Sequence, residues 1–375
     1  MAGIYLHIPF CKKACFYCDF HFSVSMKSKN DIIMALHKEL VVRRDFIKKE
    51  SIETIYFGGG TPSILTSEEI KGLVHSIRKE YDVADDVEIT LEANPDDLSY
   101  SYLKELFSVG VNRLSVGIQS FDDEHLKWMN RSHTNEQSEQ CIKDAALVGF
   151  RDISIDLIYG LPQLSSDQWL RTVKKALDLP INHLSAYSLT LEQQTPYDKL
   201  VRQKKYKEPD NDLAAEHFRI LVEKANDLGW EHYEVSNFCK FGNYSKHNTS
   251  YWQNKRYLGI GPSAHSFDGE NRSWNVSSNA KYLEKIARNV PTFSLEKLNT
   301  TDKVNEYLLT GLRTKWGVDL VWLSSYGYDL NLNYKDKLTE WVSKGWIIMD
   351  NASLKLTTKG FLFADFIASE LFWVD

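Results

Sequence analysis

Over residues 3–189 short apolar, β-branched runs alternate with amphipathic helical stretches, and that alternation leaves few folds open. The strand-like runs occupy residues 3–8, 53–57, 87–92, 113–118, 152–158 and 183–189. Helical patterns fill the intervals, for example over 30–49 and 66–81. Three of them open on capping-box pairs, Thr66 with Glu69, Thr134 with Gln137 and Ser165 with Gln168. Strands separated by helices pair in parallel through right-handed crossovers. Six such units predict an α/β fold of open, partial (β/α)6 barrel type, with functional residues collected at the C-terminal ends of the strands.

The strand ends carry the polar and glycine-rich text that this rule anticipates. The first runs into Pro9-Phe10-Cys11, and the second ends in Gly58-Gly59-Gly60-Thr61-Pro62. The third ends in Glu92-Ala93-Asn94-Pro95, and the fourth in Gly117-Ile118-Gln119-Ser120. The fifth carries Asp156 and ends in Tyr159-Gly160-Leu161-Pro162; the sixth ends in Ser188-Leu189-Thr190.

Cys11, Cys15 and Cys18 follow the first strand in C-x3-C-x2-C spacing. Three thiolates in one loop select a soft metal. Two readings stay open on the residues alone. A cuboidal four-iron cluster held by three thiolates leaves one iron free for chemistry. A structural zinc takes four protein ligands, and His7 or His21 could complete its set. Cys141 reads as core packing in a helix, and Cys239, in loop-like text, as a remote fourth-ligand candidate.

Past residue 190 a helix is expected over 210–228, then a strand from Trp230 that closes the edge of the sheet. Residues 242–274 are rich in glycine, aromatics and histidine. Helical runs at 301–313, 320–326 and 334–344, a hairpin at 346–349 and 354–356, and a last helix over 359–372 predict a small, mostly helical, winged-helix-like C-terminal domain. The boundaries expected are 1–235, 236–295 and 296–375.

A formal net charge of −6 gives no generic attraction to nucleic acid or to an anionic membrane. No apolar run spans a bilayer, the N-terminus lacks a signal-peptide layout, and five cysteines in 375 residues do not build a disulfide framework. A reducing, cytoplasmic setting is expected, compatible with peripheral membrane association.

The combination Tyr5-x-His7-Ile8-Pro9-Phe10-Cys11-x3-Cys15-x-Tyr17-Cys18 followed by Gly58-Gly59-Gly60-Thr61-Pro62 resembles the radical S-adenosylmethionine (SAM) superfamily. More narrowly, the chain is similar to the branch that holds the oxygen-independent coproporphyrinogen III dehydrogenases (HemN) and the HemW haem chaperones. The likeness runs through Leu91-Glu92-Ala93-Asn94-Pro95, Ser115 to Phe121, Asp156 to Pro162 and Leu356-Thr357-Thr358-Lys359-Gly360. It implies a radical-SAM barrel and a [4Fe–4S] cluster on Cys11, Cys15 and Cys18. SAM would chelate the open iron, and an electron donor such as flavodoxin or ferredoxin would drive its cleavage to a 5′-deoxyadenosyl radical.

By the same resemblance Tyr5, Gly59 and Glu92 contact the cluster-bound SAM. Tyr17, Gly60, Thr61, Gln119, Arg131 and Asp156 line a second SAM or substrate pocket, and Thr190 is a weaker candidate. Two departures turn the resemblance toward the chaperones. Phe20 stands where the dehydrogenases carry a further cysteine, and with the motif tyrosine at residue 5 their N-terminal extension is absent. The segment His247-Asn248-Thr249-Ser250-Tyr251-Trp252 resembles the chaperones' H-N-x-x-Y-W motif. The implied ligand is haem near His247, passed to an accepting protein such as a respiratory one. His265, Tyr251 and Trp252 are read as packing or structural residues.

Overall fold

The computed structural model describes residues 2–47 and 50–374. Six parallel strands run in sequence order across the sheet: β1 (Ala2–Ile8), β2 (Ile52–Gly59), β3 (Val83–Ala93), β4 (Arg113–Gln119), β5 (Asp152–Tyr159) and β6 (His183–Ser188). Their registers are parallel throughout, as the crossover argument requires. The predicted capping boxes at Thr66, Thr134 and Ser165 open the helices Ser67–Glu80, Asn135–Val148 and Ser166–Asp178, each such cap being worth about 1 kcal/mol. The helix expected over 30–49 is shorter, Lys29–Val42; residues 48 and 49 of that expectation lie outside the described residues.

Period-two alternation divides each strand between two faces. Ile55 and Phe57, Ile89 and Leu91, Leu114 and Val116, and Ile155 and Leu157 are buried in one hydrophobic core with helix residues such as Leu36, Ile70, Leu103 and Ile142. Thr54 and Tyr56, Glu88 and Glu92, Arg113 and Ser115, and Ser154 and Asp156 fall on the opposite face. The concave side of this sheet is therefore polar, and its side chains bond one another across strands: Tyr56 to Glu92, Ser115 to Asp156, Ser154 to His183.

The sheet does not close on itself. At the β6 edge it continues antiparallel into β8 (Asn237–Lys240), which pairs with β7 (Trp230–Glu234). The strand expected from Trp230 is thus a hairpin, and Cys239 belongs to a strand rather than a loop. At the β1 edge the sheet continues through β9 (Arg256–Ile260), parallel to β1, and then antiparallel through β10 (His265–Phe267), β11 (Asn271–Asn275) and β12 (Phe293–Lys297).

The helix Lys246–Trp252 links the two edges, running from β8 to β9. Its first amides bond the Glu88 carboxylate at 3.1 Å, and His247 Nδ1 pairs with Thr54 Oγ1 at 2.7 Å. Thr54 lies near the start of β2 and Glu88 at the midpoint of β3, and Lys246 and Thr249 line one cavity with Ala2, Glu53 and Asp152, so this helix packs at the end of the barrel opposite the cysteines.

Helices Thr300–Leu312, Leu320–Ser325, Leu330–Ser343 and Ala364–Glu370 follow. They pack with a three-stranded antiparallel sheet of β13 (Val318–Asp319), β14 (Ile347–Met349) and β15 (Ser353–Leu356). Among the described residues no helix is long and apolar enough to cross a membrane.

Candidate functional site

A cavity of about 400 Å3 opens at the C-terminal ends of β1–β6. Cys11, Cys15, Tyr17, Cys18, Gly59, Gly60, Thr61, Glu92, Gln119, Arg131, Asp156 and Thr190 all line it. Residues spread over 180 positions of sequence meet here because parallel strands deliver every C-terminus to the same rim.

The three cysteines are free thiols, half-buried. Thr61 Oγ1 donates to Cys11 Sγ, and Arg131 Nη1 to Cys15 Sγ, each at 3.4 Å. Burial pushes the Cys11 thiol up to about 11 and that of Cys18 to about 12. Such thiols stay protonated until a metal cation takes the proton's place.

The histidines of the zinc reading are committed elsewhere. His7 Nε2 bonds the His21 carbonyl at 2.9 Å and its Nδ1 the Tyr5 hydroxyl at 3.2 Å, while His21 Nε2 bonds Asn279 Oδ1 at 2.8 Å. Among the described residues no three His, Cys, Asp or Glu side chains converge on one metal ion. Cys239 is buried opposite His183 in the sheet and does not line the cavity. Three thiols facing one cavity suit a cluster, in which each iron takes one thiolate.

Backbone packing shapes the rest of the cradle. A Cβ on Gly60 would stand 2.6 Å from the Phe10 carbonyl oxygen and 2.9 Å from that of Ile8, so only glycine lets this turn close on the cysteine loop. Gln119 ends β4 in the left-handed region at φ 67°, where the β4–β5 register also shifts. That backbone costs a non-glycine residue on the order of 1–3 kcal/mol, which the surrounding packing must offset.

Two carboxylates face the cavity with raised pKa values. Glu92 Oε1 accepts from the Tyr56 hydroxyl at 2.8 Å and Oε2 from the Gly59 amide at 3.1 Å. Burial, against these bonds, lifts Glu92 to about 7, and likewise Asp156 to about 6. Arg131 is the fixed cation of the site. Its Nη2 donates to Asn94 Oδ1 at 2.6 Å and to the Gly117 carbonyl at 2.7 Å, tying β3, β4 and the cysteine loop together.

Tyr5 and His247 do not line this cavity, although the Tyr5 ring adjoins Glu92 at Gly58. The Tyr5 ring packs beside the stacked pair of Tyr56 and His247 and lines a different cleft. His247 is 1% exposed, stacked 4.8 Å from Tyr56, with both ring nitrogens engaged, Nδ1 by Thr54 and Nε2 by the Tyr251 hydroxyl at 2.8 Å. Burial lowers its pKa to about 3, so the ring is neutral.

Sequence reasoning passed over Tyr56 and the partner role of Asn94. The available signal was register: Tyr56 stands two residues before Gly58, on the inward face of β2.

That other cleft, about 540 Å3, lies between the cysteine loop and β9–β11. Tyr5, Phe20, His21, Tyr251, Trp252 and His265 are among its walls, and Asp19 and Phe20 border both cavities.

Comparison with known proteins agrees with this geometry. Residues 5–176 match the family described as the Radical SAM superfamily. The chain is 34% identical to a Bacillus subtilis protein named Heme chaperone HemW, over 96% of each chain. It is also 34% identical to a Lactococcus lactis protein of that name, over 95% of this chain and 93% of the relative. It is 31% identical to the mouse Radical S-adenosyl methionine domain-containing protein 1, mitochondrial, over 97% of this chain and 86% of the relative. In fold it superposes on coproporphyrinogen III oxidase (HemN) from Escherichia coli, with a TM-score of 0.84 at 22% identity, covering 98% of this chain and 89% of that one. Cysteine loop, glycine turn, inward carboxylate and full-length identity together place the chain in the radical SAM superfamily, in the family of the HemW proteins.

Proposed function

We propose that this protein is a haem chaperone of the radical SAM class, which binds haem and passes it to an accepting protein in the cytoplasm. The observation that carries this reading is identity along nearly the whole chain to bacterial proteins named as heme chaperones. The separation of two neighbouring cavities supports it, since a cluster-and-SAM pocket and a haem cleft can be occupied together.

In this reading Cys11, Cys15 and Cys18 hold the [4Fe–4S] cluster. Glu92 and the Gly59 backbone hold SAM, while Tyr17, Gly60, Thr61, Gln119, Arg131 and Asp156 surround it. When bound, cluster and SAM supply one-electron chemistry at the open iron, with a flavodoxin or ferredoxin as donor. The protein's own part is positional. Arg131 and Thr61 donate to thiolate sulfur, which stabilises its charge. Tyr56 fixes the rotamer of Glu92. Residues 1–235 form the radical SAM unit, 236–295 the haem-associated segment and 296–375 the C-terminal domain.

The second reading is an oxygen-independent coproporphyrinogen III dehydrogenase, favoured by the fold match to HemN. Anaerobic incubation with coproporphyrinogen III, SAM and a reductant separates the two. The chaperone reading expects haem binding without turnover; repeated conversion to protoporphyrinogen IX overturns it.

A further inference from the structure

If the chain handles haem, the iron needs an accessible ligand, and His247 has no free ring nitrogen in this structure. The cleft beside the cysteine loop presents one. His265, on β10, is exposed, and no hydrogen bond among the described residues holds its ring nitrogens; its ring only stacks 6.3 Å from Trp274. Partial burial, and secondarily the Arg272 guanidinium, lower its pKa, which keeps a nitrogen lone pair available at neutral pH.

The surroundings suit a flat, apolar macrocycle with carboxylate arms. Phe20 and Tyr251 supply apolar ring surface. The Trp252 indole N–H is buried without a partner at the cleft wall, and the Lys255 ammonium there has no ion pair among the described residues. A donor and a cation beside aromatic walls match propionates at the edge of a porphyrin.

We propose that haem binds in this cleft with the His265 imidazole on its iron and propionates toward Trp252 and Lys255, while His247 acts from behind as a positioning residue. The connection is the bond from His247 Nε2 to the hydroxyl of Tyr251, whose ring forms part of the wall. Phe20 borders this cleft and the cluster cavity alike, so haem here would lie against the loop that carries Cys18. The inference rests on the haem-chaperone reading and names its site.

Haemin titration of the full chain, read as a Soret difference spectrum, tests both. The wild type is expected to shift the Soret band. His265→Ala is expected to bind at least tenfold more weakly, with imidazole in solution restoring the wild-type band. His247→Ala is expected to keep the wild-type band position at reduced affinity, without imidazole rescue. Lys255→Gln, a change of a half-buried residue, is expected to weaken affinity several-fold with the band unmoved. A wild-type spectrum and affinity in His265→Ala, or imidazole rescue of His247→Ala instead, overturns this site and leaves the chaperone reading standing. No Soret change with the wild type overturns the chaperone reading itself.

Discussion

The hydroxyl of Tyr56 donates to Glu92 Oε1 at 2.8 Å, and the ring behind that hydroxyl stacks on His247 at 4.8 Å. One side chain thus joins the floor of the cluster cavity to the helix that bridges the barrel's open edges. From His247 the contact continues through Tyr251 into the wall of the second cleft. The two cavities are linked by a packed, hydrogen-bonded chain, and each link can be cut separately.

Glu92 makes stability depend on pH. Burial raises its carboxyl from 4.5 to about 7 in the folded chain, so the protonated form is favoured there. Its contribution to stability is full below about pH 4.5 and is lost as pH rises through about 7. Glu92→Gln removes the titration. Denaturant midpoints at pH 5 and pH 8 are expected to show the wild type losing on the order of 2–3 kcal/mol relative to the variant at the higher pH; equal pH slopes for the two proteins contradict this.

Cutting the next link tests the wall of the second cleft. Tyr251→Phe leaves a ring nitrogen of buried His247 unpaired, at a cost of about 1–3 kcal/mol. Urea unfolding is expected to register it, and an unchanged midpoint would mean that the bond stabilises nothing.

Replacing Cys15 by serine is expected to remove most of the cluster. Anaerobically purified wild type should be brown, with about four irons per chain, and Cys15→Ser nearly colourless. Zinc without iron in the wild type would rule out the cluster.

Arg131→Met removes donors to Cys15, Asn94 and Gly117 at once. Charge-assisted bonds of this kind contribute about 1.5–3 kcal/mol each, so SAM affinity by equilibrium dialysis should fall roughly tenfold or more. Retained affinity would take Arg131 out of the site.

Gly60→Ala forces a methyl against the Phe10 and Ile8 carbonyls. Relief requires moving the cysteine loop, at about 1–3 kcal/mol. Lower iron content at unchanged helix content by circular dichroism is the expected signature; full iron loading would show that the turn yields freely.

Much of this was legible beforehand because it is local. Six parallel strands, the capping boxes and the thiolate spacing each follow from residues a few positions apart. The strand-end rule then placed nearly every candidate on one rim, since parallel topology makes strand order and site composition the same statement. Local text says less where a strand's place depends on the sheet's edges. Trp230 to Lys240 became a hairpin, and Cys239 a buried strand residue, because an unpaired β6 edge recruits whatever backbone can satisfy it.

By itself, then, the sequence determined a metal-binding loop, a glycine cradle and inward carboxylates, because their chemistry is carried by residue type and spacing. Tertiary structure alone decided which imidazole faces solvent. His247, marked by its motif, is enclosed between Thr54 and Tyr251, while His265, inconspicuous in the chain, is left open at the cleft. The reason is physical: a ring nitrogen's availability depends on which partners packing brings to it, and while Tyr251 stands one turn along the same helix, Thr54 comes from a strand 193 residues away.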